Sequence, residues 1–178
     1  MKIYKKIFDS CIIFKTDQYE DKRGQFSEIY NEKIFKKKIN NKFIAKQINF
    51  IYSKKNSLRG LHYQRYPSSQ MKILRVIKGK IFDVVVDIRK KSKHYGKHFF
   101  IILSESNKKQ IFIPNGFAHG YMTLTKDAKV EYICSNFYNP NKEVTIIWND
   151  EDLKIKWPKS SKYLISSKDL NGIKFNSL

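Results

Sequence analysis

The segment Arg59-Gly60-Leu61-His62-Tyr63-Gln64 sets a histidine beside an arginine and among strand formers, a short way before Lys72. A histidine is the side chain best suited to take and return a proton near neutrality. Arginine suits bidentate capture of an anion, and a lysine close by can hold developing negative charge on oxygen. Further along, Ile113-Pro114-Asn115-Gly116-Phe117-Ala118-His119-Gly120 and Tyr132 to Tyr138 supply a second histidine and two phenols. Together these residues point to proton transfer on a negatively charged, carbonyl-bearing substrate. Each has an ordinary alternative: a strand histidine satisfied by a neighbour, a solvated lysine, a core tyrosine bonded to a carbonyl.

The elements that must position these groups read as short strands broken by turn residues. Phe43 to Phe50 alternates, with Ala45, Gln47 and Asn49 on one face and Ile44, Ile48 and Phe50 on the other. Lys72–Ile77 and Lys80–Ile88 read as a hairpin turning at Lys78-Gly79. In its second arm Phe82, Val84, Val86 and Ile88 oppose Ile81, Asp83, Val85 and Asp87. Further strands are predicted at His98 to Leu103, Gln110 to Ile113, Gly120 to Thr125, Lys129 to Phe137 and Val144 to Trp148. Short helices are predicted at Asn31 to Lys38 and after Ser166. This pattern predicts an all-β sandwich or jelly roll with short peripheral helices.

At 178 residues and 41% apolar composition the chain suits one packed domain. Cys11 and Cys134 form no metal-type pair, and no leader-like or membrane-spanning apolar run is visible. A cytoplasmic protein is expected. The formal charge of +20 raises nucleic-acid binding as a rival reading. The lysines, however, are scattered over turns and strand ends, which favours solvated faces and attraction of a small anion.

Pro114-Asn115-Gly116-Phe117-Ala118-His119 resembles the second signature of the cupin superfamily. The first signature ordinarily supplies a His-x-His pair; here it reads His62-Tyr63-Gln64, so the transition-metal ligand set is incomplete and a metal-free jelly roll is expected. With Asp21-Lys22-Arg23-Gly24, Val86-Asp87-Ile88-Arg89, Phe137-Tyr138-Asn139-Pro140, Trp148-Asn149-Asp150 and Ser167-Lys168-Asp169 added in order, nearly the whole chain resembles the dTDP-4-dehydrorhamnose 3,5-epimerase family.

That resemblance implies a nucleotide-diphosphate 4-keto-6-deoxy sugar as substrate, in surface polysaccharide sugar synthesis, with no cofactor. It assigns His62 as base, Asp169 as its partner, Lys72 as enolate stabiliser and Tyr132 as the acid on the opposite face. Arg59 and Arg23 are implied as anion ligands. Gln47, Asn49, Glu28, His119, Tyr138, Glu143 and Lys168 are implied to line or close the site with Trp148, and Phe26 to stack on the base. A homodimer with exchanged N-terminal strands is implied, with no nucleic-acid or membrane partner. The single domain 1–178 then divides into an exchange segment 1–40, a jelly-roll core 41–150 and a C-terminal segment 151–178 carrying Asp169. Met71 and Pro67-Ser68-Ser69 depart from the family's pattern beside the pocket. They leave open a GDP-linked 4-keto heptose, or inversion of a single centre, as alternatives. A silent sugar-binding cupin is a further rival. A 3,4-ketoisomerase fits less well, since related isomerases carry a second histidine at Gln64.

Overall fold

A computed structural model describes residues 1–178 as two packed antiparallel sheets. The strands are β1 (Lys2–Ile7), β2 (Cys11–Lys15), β3 (Tyr19–Asp21), β4 (Gly24–Phe26), β5 (Gln47–Lys54), β6 (Leu58–Gln64) and β7 (Lys72–Lys78). They continue with β8 (Lys80–Asp87), β9 (His98–Ser104), β10 (Gln110–Ile113), β11 (Phe117–Thr123), β12 (Asp127–Cys134) and β13 (Glu143–Thr145). The helices are α1 (Glu32–Lys38) and α2 (Ser167–Leu170). One sheet runs β1-β2-β10-β7-β12-β5, the other β13-β6-β11-β8-β9, and β3-β4 form a separate hairpin. This is the jelly roll that the strand pattern predicts, in the cupin form that the resemblance implies. No helix is long and apolar enough to cross a membrane.

Period-2 alternation builds the core. Leu74, Val76, Ile111 and Val130 of one sheet meet Ile81, Val85, Leu103 and Tyr121 of the other. Both faces of β8 are buried, because Phe82, Val84 and Val86 face outward beneath Leu153, Trp157 and Phe175 of the C-terminal segment. Against the opposite sheet, Phe35 of α1 and Phe43 cover Phe14, Ile73 and Phe112. Asn31 caps α1, its Oδ1 accepting from Ile34 N at 3.1 Å, with Glu32 in the first turn and lysines in the last.

Two expectations are corrected. β7 and β8 are not a hairpin; Lys78-Gly79 is a corner that carries the chain from one sheet to the other. Gly79 has φ +80°, and a Cβ there would collide with the Asp127 carbonyl and Thr125 Oγ1, so the corner needs glycine. The strand sought from Phe43 begins only at Gln47, because Phe43 is buried under α1 instead. In the N-terminal segment, β1 and β2 pair with each other and β2 pairs with β10. The N-terminal part free of its own sheets is the hairpin β3–β4, exposed at every position.

Candidate active site

Directly opposed residues of antiparallel strands share a face. Tyr132 opposes Asn49, and Cys134 opposes both Gln47 and Lys72. Leu74 and Val76 continue the Lys72 face into the apolar core. The inner wall of this sheet is therefore polar at one end, with Gln47, Asn49, Lys72, Tyr132 and Cys134, and apolar at the other.

The facing wall depends on β6. Strict alternation would put Arg59 and His62 on opposite faces, since they are an odd number of residues apart. The β6–β11 register shifts between the Tyr121–Arg59 and His119–His62 pairs. Gly60, at φ +117°, is the extra residue of this bulge, and its Cα surface lies against Gly120, where a Cβ would come within 2.6 Å of Gly120 Cα. Leu58, Leu61 and Tyr63 then point to the outer core, while Arg59 and His62 both reach the cavity. The bulge also leaves the Gly60 N–H free to donate to Asp169 Oδ2 at 3.2 Å.

Two adjoining cavities, of about 310 and 180 Å³, share His62, Lys72, Tyr132 and Glu143. Gln47, Asn49 and Tyr138 line the first; Arg59, His119 and Tyr121 line the second. A larger hollow of about 460 Å³ between the β3–β4 hairpin and β7 contains no histidine or tyrosine, so the proton chemistry is not there.

His62 Nε2 lies 2.6 Å from Asp169 Oδ1. Asp169 is buried; burial pushes its carboxyl up, but the His62 bond and charge, the Gly60 N–H and Ser166 Oγ outweigh this and hold it below the usual carboxylate range. Burial pushes the Lys72 ammonium below its ordinary value. Its Nζ lies 5.8 Å from the Tyr132 ring centre. Burial pushes the Tyr132 phenol up to about 12 and the Cys134 thiol to about 11. Asn49 Nδ2 donates to Cys134 Sγ at 3.7 Å.

At the mouth, Tyr138 OH donates to Glu143 Oε2 at 2.7 Å, and Lys168 of α2 closes on the same oxygen. Burial pushes the Glu143 carboxyl up, but Lys168, Tyr138 and the His62 charge hold it below its usual range. Gln64 is wholly engaged in holding the rim: its amide donates to Ser68 O and Phe137 O, and its carbonyl accepts from Asn139 N at 2.7 Å. No three His, Cys, Asp or Glu side chains converge as metal ligands would.

The structure thus gathers His62, Asp169, Lys72, Tyr132, Arg59, His119, Gln47, Asn49, Tyr138, Glu143 and Lys168. It does not gather Arg23, Phe26 and Glu28. Arg23 pairs with Asp21 at 2.6 Å, Phe26 is 67% exposed on the hairpin, and Glu28 accepts from Asn31. All three lie outside both cavities of their own chain. Trp148 is also misplaced by the sequence reading: it packs on Tyr163, and its carbonyl accepts from Trp157 Nε1.

Three polar groups in or behind the cavity wall were missed. Asp83 backs His119, with Oδ2 2.7 Å from Nε2, and its grouping with Ile81 and Val85 was the available signal. Tyr121 OH bonds Ser53 Oγ at 3.1 Å, and Ser53 Oγ accepts from Arg59 Nε at 3.1 Å. A serine and a tyrosine in strands carry no sequence signal of such a link.

Nearly the whole chain is similar to known proteins. The family model described as dTDP-4-dehydrorhamnose 3,5-epimerase matches residues 5–177. A dTDP-4-dehydrorhamnose 3,5-epimerase of Shigella flexneri is 42% identical over 98% of this chain and 96% of its own length. The crystal structure of a dTDP-6-deoxy-D-glucose-3,5-epimerase from Legionella pneumophila in complex with dTDP-4-keto-L-rhamnose superposes with a TM-score of 0.94 at 37% identity, covering 98% of this chain and 93% of that one. A dTDP-4-dehydrorhamnose 3,5-epimerase from Bacillus anthracis with TDP and PPi bound gives 0.92 at 34% identity, covering 97% and 98%.

Proposed function

The chain belongs to the dTDP-4-dehydrorhamnose 3,5-epimerase family, isomerases acting on carbohydrates, and on that premise we propose that its cavity epimerises a dTDP-linked 4-keto-6-deoxy sugar at C3 and C5. One observation carries the proposal. His62 stands on the five-stranded sheet and Tyr132 on the six-stranded sheet, and both line one cavity with Lys72. A sugar ring between the sheets has the base on one face and the acid on the other.

The 4-keto group makes the hydrogens on C3 and C5 acidic. With Nε2–H donated to Asp169, the other His62 ring nitrogen carries the lone pair that takes the proton. The C–H electrons move into the C–C bond and onto O4, where the Lys72 ammonium holds the enolate. Asp169 stabilises the imidazolium that results. Tyr132, still protonated at neutral pH, delivers its proton to the carbon from the opposite face, and the enolate electrons return to that bond. The centre is inverted, and both side chains are reset by exchange with solvent. The reaction is redox-neutral, and the substrate's own carbonyl provides the activation.

Arg59 serves as the diphosphate ligand and His119 lies beside the sugar, with Gln47 and Asn49 on the facing wall; Glu143, Tyr138 and Lys168 close the mouth. The protein works as a homodimer, in which Arg23, Phe26 and Glu28 on and beside the exposed hairpin complete the partner's site. Free Cys11 and Cys134 suit the reducing cytoplasm, where nucleotide sugars are made.

The test is turnover of dTDP- and GDP-linked 4-keto sugars in D2O, followed at C3 and C5. Deuterium enters both centres of the dTDP-linked sugar; no incorporation with any of them would sink the proposal. Tyr132→Phe retains exchange and loses inverted product by about 10²–10⁴-fold, whereas His62→Ala loses both. Identical behaviour of the two variants contradicts the two-face assignment.

A further inference from the structure

The side chain of Arg59 is anchored at one point only. Its Nε donates to Ser53 Oγ at 3.1 Å, and its two Nη groups make no hydrogen bond within the chain. Arg59 is exposed, so an unanchored guanidinium would sweep many rotamers. Ser53 is the opposite kind of residue: 1% exposed, on the inner face of β5, held by Tyr121 OH at 3.1 Å. The three residues come from β5 of one sheet and from β6 and β11 of the other. The link therefore spans the sandwich beside the cavity that Arg59 and Tyr121 line.

We propose that Ser53, supported by Tyr121, is a positioning residue that fixes Arg59 by its Nε so that both Nη groups are presented to the substrate's diphosphate. This rests on the reading of Arg59 given above. Planar capture of phosphate oxygens uses parallel N–H donors, and an arginine fixed by the remaining N–H has little rotamer freedom left to lose on binding. A buried serine hydroxyl suits the task, since it accepts from Nε while its own hydrogen or its second lone pair serves Tyr121. Nothing in the proton-transfer chemistry uses Ser53 or Tyr121, yet both are buried polar groups whose bonds converge on one exposed cation.

The experiment measures dTDP and inorganic pyrophosphate binding by calorimetry to the wild-type protein, Ser53→Ala, Ser53→Thr, Arg59→Ala and the double variant Ser53→Ala/Arg59→Ala. Thermal melts establish that each is folded. Ser53→Ala weakens dTDP binding roughly three- to tenfold, as expected for one long side chain left to be immobilised on binding. Ser53→Thr, which keeps the hydroxyl, restores it. In the Arg59→Ala background the serine substitution has no further effect, because its action runs through Arg59. In turnover the Ser53→Ala loss falls on KM rather than kcat. Weakened binding in Arg59→Ala with wild-type binding in Ser53→Ala overturns the positioning role alone. So does a Ser53→Ala loss that persists without Arg59 or falls on kcat. A wild-type protein that exchanges no proton of any nucleotide-linked 4-keto sugar instead removes the functional reading beneath it.

Discussion

Burial acts on the two reacting-side groups in opposite senses, and the pH dependence follows from that. It depresses the Lys72 ammonium and raises the Tyr132 phenol to about 12. On the alkaline side Lys72 is thus the first of the two to lose the form the reaction needs. The alkaline limb of kcat/KM is expected below the ordinary lysine range, and Lys72→Arg, which stays charged, removes that limb at reduced activity. Lys72→Met loses about 10²–10³-fold in kcat. A pH–rate profile of the three proteins decides it; an unchanged limb in Lys72→Arg assigns the titration elsewhere. Asp169 has the reverse sign. Its carboxyl is lowered in the folded protein, so its contribution is present above the ordinary carboxylate range and is lost as pH falls through the folded value. Asp169→Asn costs about 1–3 kcal/mol at neutral pH, shrinking in acid, as urea unfolding at the two conditions measures. His62 and, through its company, Lys72 could be singled out in the sequence because polar groups punctuate strand-forming segments there, while Tyr132 took its role from the resemblance. Asp169 and Lys168 could not, except through the resemblance, since a C-terminal helix of four residues looks like any loop end.

The bulge in β6 does at the level of an element what no side chain could do. It brings Arg59 and His62 to one cavity and exposes the Gly60 N–H to Asp169, so one irregularity sets the anion ligand, the base and the base's partner. Gly60→Ala forces a Cβ to within 2.6 Å of Gly120 Cα in a left-handed backbone. The expected cost is about 2–3 kcal/mol with loss of most activity. Gly24→Ala is the fit comparison, since its φ is also positive but nothing lies within 4 Å. Equal melting temperatures for the two variants would show that the Gly60–Gly120 contact does not matter. The same element explains where sequence reading stops. Alternation finds strands and inward faces, so β9, β10 and α1 fall close to expectation. It cannot count a bulge residue, and it cannot tell a hairpin from a corner. Lys78-Gly79 has the composition of a tight turn, but β8 buries both faces and pairs with β9 and β11, so the chain crosses sheets there instead.

For the molecule as a whole, the charge of +20 and the exposed hairpin bear on the same anion. Net positive charge draws a diphosphate toward the protein at a salt-dependent rate without selecting it. Selection needs placed groups, and Arg23, Phe26 and Glu28 are placed away from the cavity of their own chain. The edge strand β5, whose inner face carries Gln47 and Asn49, turns Ile48, Phe50 and Tyr52 outward to solvent. An unpaired edge bearing three large apolar side chains is ordinarily covered, and a second copy presenting its hairpin would cover it while bringing Arg23 to the cavity. The proposed dimer has a direct consequence that mixing two variants can test. His62→Ala lacks the base but keeps its arm; Arg23→Ala keeps the base but lacks the arm. Each homodimer is impaired at both sites. After unfolding together and refolding, heterodimers contain one site with an intact base and an intact arm from the other chain. Random pairing puts half the protein in heterodimers, so activity recovers to about a quarter of wild type. If the arm serves its own chain, no heterodimer site is whole and mixing restores nothing. Sedimentation of the mixture verifies that dimers formed, which makes absent recovery evidence against the arm acting in trans rather than against assembly.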